Sequence, residues 1–135
     1  MTTVIDASAA LKWVLDEEGS DRAIALIESD VLIAPDLWLI ECANVLAMKA
    51  RRDFLTDEGA VKGLAVIETV PVRIVPTRDH VGAAHAIALG LKKSAYDSLY
   101  LALALSERAV MVTADAAFFR AASAIAAYAP HIRML

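Results

Sequence analysis

The sequence predicts an α/β domain built on a parallel sheet with helices on both faces. Short runs of aliphatic and β-branched residues alternate with longer stretches of helical period, the order that yields crossover connections between parallel strands. Two of the short runs are closed by prolines, Pro35 and Pro76, which cannot continue a ladder. At 135 residues, 59% of them hydrophobic, the chain is long enough for one domain with a sizeable core and too short for two comfortable ones. It carries no repeat, low-complexity tract or Gly/Ser/Pro linker, so residues 1–135 read as a single domain.

Taken in order, the first strand is Thr3–Asp6, rich in Val and Ile and stopping on a charge. Helices follow at Ser8–Leu15 and Ser20–Ser29, then a strand at Val31–Ala34. Asp36 stands as N-cap before a helix over Leu37–Arg52, and another helix spans Asp57–Thr69. A strand at Val72–Val75 leads to a helix over Arg78–Leu89. Ser94 and Asp97 have the spacing of a capping box for a helix over Tyr96–Glu107. A strand at Val110–Thr113, a helix over Asp115–Ala126 and a short last strand, Ile132–Leu135, complete the set.

Composition excludes several classes. No apolar run reaches the roughly 18–20 residues of a membrane helix. No basic segment precedes an apolar stretch at the N-terminus, so no secretory signal is read. The one cysteine, Cys42, lies in an apolar helical stretch as a small core residue, and its isolation fits a reducing cytoplasm. The net charge of −4 argues against nucleic-acid binding by bulk charge alone. It leaves room for a nuclease whose bound cation reverses the local sign. The mean hydropathy of +0.54 suggests apolar surface covered by a partner or a second copy.

Four acidic residues stand out, each with a structural reading beside the chemical one. Asp6 and Asp115 follow strand ends, where parallel sheets gather functional groups, yet either suits an N-cap. Glu41 and Asn44 are the only clearly polar residues in "LWLIECANVLAM" and share a helix face, either a narrow solvent stripe on a mostly buried helix or one wall of a polar pocket. Asp97 opens a helix apolar nearly all round, hence buried on several sides. Carboxylates delivered to one place suit a hard divalent cation such as Mg²⁺ or Mn²⁺. Without a cation they would repel and raise one another's pKa. Removing these four charges brings the net charge from −4 to 0.

The segments "VIDASAALKW", "LIECANVLAMKAR", "SAYDSLYLALA" and "MVTADAAFF" resemble, in order and over essentially the whole chain, the four motif regions of PIN-domain proteins, in particular VapC-like toxins of type II toxin–antitoxin systems. The resemblance implies a three-layer α/β/α sandwich around a mostly parallel sheet of about five strands. It implies an Mg²⁺- or Mn²⁺-dependent endoribonuclease whose metal-holding quartet falls on Asp6, Glu41, Asp97 and Asp115. Ser8, Asn44, Ser98 and Thr113 occupy positions of polar support. It also implies an RNA substrate, a cognate antitoxin, homodimers and a cytoplasmic setting.

Competing readings fit less well. A phosphoacceptor receiver domain wants adjacent acidic residues after its first strand, and a haloacid-type phosphatase wants D-x-D; this chain has Asp6-Ala7-Ser8. His80 and His85 are five apart, about 140° around a helix, and do not converge for metal-free catalysis. Lys49, Arg51 and Arg52 suit a helix C-terminus, with phosphate guidance as the chemical alternative. The non-enzymatic alternative is a catalytically idle PIN-like module that binds RNA or protein.

Overall fold

The computed structural model describes all residues, Met1–Leu135. Five strands form one sheet: β1 (Thr2–Ile5), β2 (Val31–Pro35), β3 (Val72–Val75), β4 (Val110–Thr113) and β5 (Ile132–Met134). Their order is β3-β2-β1-β4-β5, and every pairing is parallel. Seven α-helices connect them: α1 (Ala7–Ala10), α2 (Ser20–Ser29), α3 (Leu37–Arg51), α4 (Asp57–Thr69), α5 (Val81–Leu91), α6 (Ala95–Glu107) and α7 (Ala116–Ser123). The architecture is the expected three-layer α/β/α sandwich.

The order follows from apolar content. β1 is central, and Val4 and Ile5 are fully buried. β3 is an edge strand whose Arg73 and Ile74 are exposed, which tolerates the flanking Pro71 and Pro76. Every residue of α6 from Ser98 to Ala104 is buried, as its continuous apolarity required. α3 differs from expectation. Only Trp38, Cys42 and Leu46 are buried, a single stripe at i, i+4, i+8, and Ile40 is 63% exposed. It is a helix lying on the surface of the sheet, not a mostly buried one.

Three local expectations change. The helix predicted from Ser8 to Leu15 is a short α1 that tightens to a 3₁₀ turn, Leu11–Trp13. Its cap is Asp6, as the N-cap reading of that residue expected: the Asp6 Oδ1 accepts from the Ala9 N–H at 2.9 Å. Asp36 occupies the N-cap position of α3 but caps nothing, because it sits in helical conformation and accepts a hydrogen bond from the Thr77 hydroxyl. The helix predicted from Arg78 begins with a 3₁₀ turn, and α5 runs on to Leu91. At the end of α3, Asp53 adopts φ +59° while the Phe54 N–H donates to the Lys49 carbonyl and the Asp53 N–H to the Ala50 carbonyl. That pair of bonds is a Schellman C-cap made without glycine.

Candidate active site

The carboxyl ends of β1 and β4 lie side by side, with Ile5 paired to Val112. This register sets Asp6, the residue after β1, against Thr113, the last of β4. Thr113 Oγ1 donates to Asp6 Oδ2 at 2.5 Å. Ser8 Oγ donates to Asp6 Oδ1 at 2.7 Å and accepts from the Ala114 N–H at 2.9 Å. With the Ala9 bond, Asp6 accepts three hydrogen bonds while only 7% exposed. Even so, burial pushes its carboxyl up to about 6, against the pull of Thr113, Ala9 and Ser8, with the Asp97 charge adding to the rise.

Glu41 arrives from α3. The buried Tyr100 of α6 donates its hydroxyl to Glu41 Oε2 at 3.1 Å. Glu41 Oε1 is buried and has no partner. Burial raises this carboxyl above its ordinary value, the Tyr100 bond opposes the rise, and the charges of Asp97 and Asp6 add to it. The same surroundings raise the Tyr100 hydroxyl, so it remains a donor at neutral pH. Cys42, beside Glu41, is pushed up to about 12 by burial and by the Glu41 and Asp6 charges, which leaves it an unreactive thiol.

Asp97 stands in the first turn of α6, which Ser94 caps by accepting from the Asp97 N–H at 3.0 Å. Its carboxyl is raised by burial first and by the Asp115 charge, with Lys93 opposing. Asp115 caps α7 by accepting from the Phe118 N–H at 3.0 Å, and its own N–H donates to Thr113 Oγ1 at 3.0 Å. Asp6 and Asp115 thus both serve as N-caps, of α1 and α7.

Glu41 and Asp97 line a cleft of about 420 Å³ with Ser8, Lys12, Glu17 and Lys49. They share a neighbouring hollow of about 410 Å³ with Asn44, Tyr96 and Ile40. Asp6 does not line the cleft; its charge raises Glu41, and the Asp97 charge raises Asp6. Asp115 joins through Thr113 and through its field on Asp97. Ser98 is fully buried, and its hydroxyl donates to the Ser94 carbonyl at 2.8 Å. As the side chains stand, no three His, Cys, Asp or Glu groups close on one ion. Asp6, Glu41 and Asp115 each direct an oxygen to an internal donor. None of the three histidines lines the cleft, and His131 Nδ1 sits 2.8 Å from the Ala109 carbonyl.

The donor set suits a hard divalent cation. It is all oxygen, three of its carboxyls are lifted by burial and by one another, and one buried carboxylate oxygen, Glu41 Oε1, lacks any partner. Tyr100 and Lys12 belong to the site's surroundings in ways that sequence reasoning missed. Tyr100 looked like one more apolar residue of α6, and only its i+3 spacing from Asp97 hinted at a shared face.

A profile of the PIN domain matches residues 3–124. The chain belongs to the PIN domain family. Among curated PIN domain relatives, it is 36% identical over 113 residues to Ribonuclease VapC9 of Mycobacterium tuberculosis, covering 83% of this chain and 84% of that protein. Among solved structures, PAE2754 from Pyrobaculum aerophilum superposes with a TM-score of 0.72 at 20% identity, covering 90% of this chain and 79% of that one. VapBC2 from Rickettsia felis, bound to a DNA fragment from its promoter, superposes at 0.69 with 12% identity and covers 100% and 99%. These two structures share the fold of this chain; the VapC9 likeness places this PIN domain with the VapC-like proteins.

Proposed function

We propose that this PIN domain is a VapC-like endoribonuclease that hydrolyses RNA phosphodiester bonds in the cleft of Glu41 and Asp97, with Mg²⁺ or Mn²⁺ as cofactor. The observation that carries the reading is the set of mutually raised carboxyls around one cleft, with Glu41 Oε1 left without a partner. The likeness to Ribonuclease VapC9 supports RNA as the substrate class.

Asp6, Glu41, Asp97 and Asp115 would hold the cation. When bound, it supplies Lewis-acid stabilisation of phosphate charge and lowers the pKa of water. The chain's own groups do the rest. Thr113, Ser8 and the Ala9 N–H fix the Asp6 carboxylate in one orientation, so its charge is preorganised. Tyr100 holds Glu41 Oε2 and leaves Oε1 as the oxygen that would hold the cation. Asp115 holds the α7 entry and adds charge beside Asp97.

We further propose that a cognate antitoxin silences the site and that the active form is a homodimer. Apolar side chains left in water support both. Ile40 on α3 and Val61 and Val66 on α4 are 63%, 70% and 50% exposed, and Leu89 and Tyr96 are 68% and 65% exposed. No helix is long and apolar enough to cross a membrane.

Cleavage of ribosomal, transfer and messenger RNA pools, compared in Mn²⁺ and in EDTA, tests the proposal with wild type and Asp97→Asn. Cutting by wild type in Mn²⁺ alone, lost in the folded variant, is the expected result. Wild type that is neither stabilised by Mn²⁺ nor active on any pool would leave the idle binding module in its place.

A further inference from the structure

An acidic cleft is a poor host for a polyanion, and the chain as a whole carries a net charge of −4. Besides the cation proposed for the site, RNA binding there calls for protein cations inside the cleft itself. Of 13 lysines and arginines, only Lys12 and Lys49 line it. The two are in different states.

Lys12 is committed. Its ammonium donates to Glu17 Oε1 at 3.1 Å and to the Glu18 carbonyl at 2.7 Å, and its side chain is only 16% exposed. It ties the turn after α1 to the loop that enters α2. Lys49 is free. It is half-buried, forms no ion pair and makes no hydrogen bond through its ammonium. It rests 5.7 Å from the centroid of the Phe54 ring, in a cleft that it shares with Glu41 and Asp97 without bonding either. A cation–π contact at such a partly wet site is worth about 0.5–1 kcal/mol, a weak hold beside a charge-assisted bond to phosphate. The Schellman cap of α3 brings the Phe54 backbone up to Lys49, its N–H donating to the Lys49 carbonyl.

We infer that Lys49 is a substrate-binding residue: it takes an RNA phosphate flanking the scissile one, and Phe54 parks its ammonium while the cleft is free of RNA. The inference rests on the RNA-cleaving reading of the cleft. Lys12 serves as the internal contrast, a lysine of the same cleft whose work is structural.

The test measures binding of a labelled, short single-stranded oligoribonucleotide of mixed sequence over a range of salt, in EDTA, by fluorescence anisotropy. Wild type, Lys49→Met, Lys49→Arg and Lys12→Met are compared, with Mn²⁺ affinity and melting temperature recorded for each. Lys49→Met should weaken binding roughly five- to tenfold and flatten the slope of log K against log salt by about 0.7, the share of one single-strand phosphate contact. Its Mn²⁺ affinity and fold should hold, and Lys49→Arg should restore most of the slope. Lys12→Met should lower the melting temperature and keep the slope. The assignment is overturned if wild type does not bind the probe, if Lys49→Met keeps wild-type affinity and slope, or if Lys12→Met flattens the slope equally. The two readings fail separately. Wild type that binds RNA through Lys49 but never cuts it refutes the hydrolysis and keeps the binding site; wild type that cuts with Lys49→Met unaffected does the reverse.

Discussion

Replacing Asp6 by Asn should make the protein more stable at neutral pH, although Asp6 is the best hydrogen-bonded carboxylate of the cleft. The side chain is 7% exposed, and burial lifts its carboxyl from the ordinary 3.8 to about 6. A carboxyl raised in the folded state favours the fold only while protonated. Its penalty is absent below pH 3.8, grows between 3.8 and 6, and is complete above that range. At about 1.4 kcal/mol per unit, ionised Asp6 costs the fold about 3 kcal/mol. Asn is neutral and nearly isosteric. Its amide oxygen can accept from Ala9 and Ser8, and its amide nitrogen can donate to Thr113 Oγ1, whose proton then turns to Ser8 Oγ at 3.3 Å. For a chain of this length the gain corresponds to a melting temperature higher by about 10 °C. Urea unfolding of both proteins near pH 7.5 and near pH 4 checks the argument, since at the lower pH the gap should shrink below about 1 kcal/mol. Saturating Mn²⁺ should also narrow it, by relieving a charge that only wild type carries. A variant no more stable than wild type at neutral pH, or a gap that ignores pH, would refute the reasoning.

Three further outcomes follow from the same network. Tyr100→Phe removes the hydroxyl that holds Glu41 Oε2; calorimetry should show weaker Mn²⁺ binding, and unfolding a loss of about 1 kcal/mol. Thr113→Val keeps the shape of a fully buried side chain but strips Asp6 Oδ2 of its donor and the Asp115 N–H of its acceptor, so it should destabilise by about 1–3 kcal/mol, more at pH 8 than at pH 5 because the bond to an ionised acceptor is the stronger one. Asp115→Asn should keep the α7 cap and melt within about 1 °C of wild type, whereas Asp115→Ala should lose about 1 kcal/mol; comparing the Mn²⁺ affinity of the Asn variant with wild type separates the cap from the charge.

Much of this molecule was legible before any coordinates, for reasons that differ by residue. The strands could be read because a sheet covered on both faces needs apolar runs, and the helix of Asp97 because seven consecutive buried residues leave no polar gap. Asp36 misled because composition reports a side chain's capacity to cap and not its rotamer, and Thr77, 41 residues away, had claimed it. The end of α5 blurred, predicted at Leu89 and found at Leu91, because the left-handed position after it is filled by Lys92 at φ +55° and not by a glycine. Tyr100 showed only in its i+3 spacing from Asp97, and the contrast between Lys12 and Lys49 was hidden. Each depends on a partner brought from elsewhere by the fold, 59 residues away in the case of Tyr100 and Glu41.

The central place of β1 has a bearing on how the protein is made. Its strand is the first to leave the ribosome, yet one of its two neighbours, β4, begins only at Val110. Until that segment emerges, Asp6 has no Thr113 beneath it, Asp97 has no Asp115 beside it, and the half-built sheet has an open edge where its middle should be. A nascent chain therefore cannot hold the finished cleft. On the ribonuclease reading proposed above, strand order alone keeps the cleft from closing before Val110 has emerged.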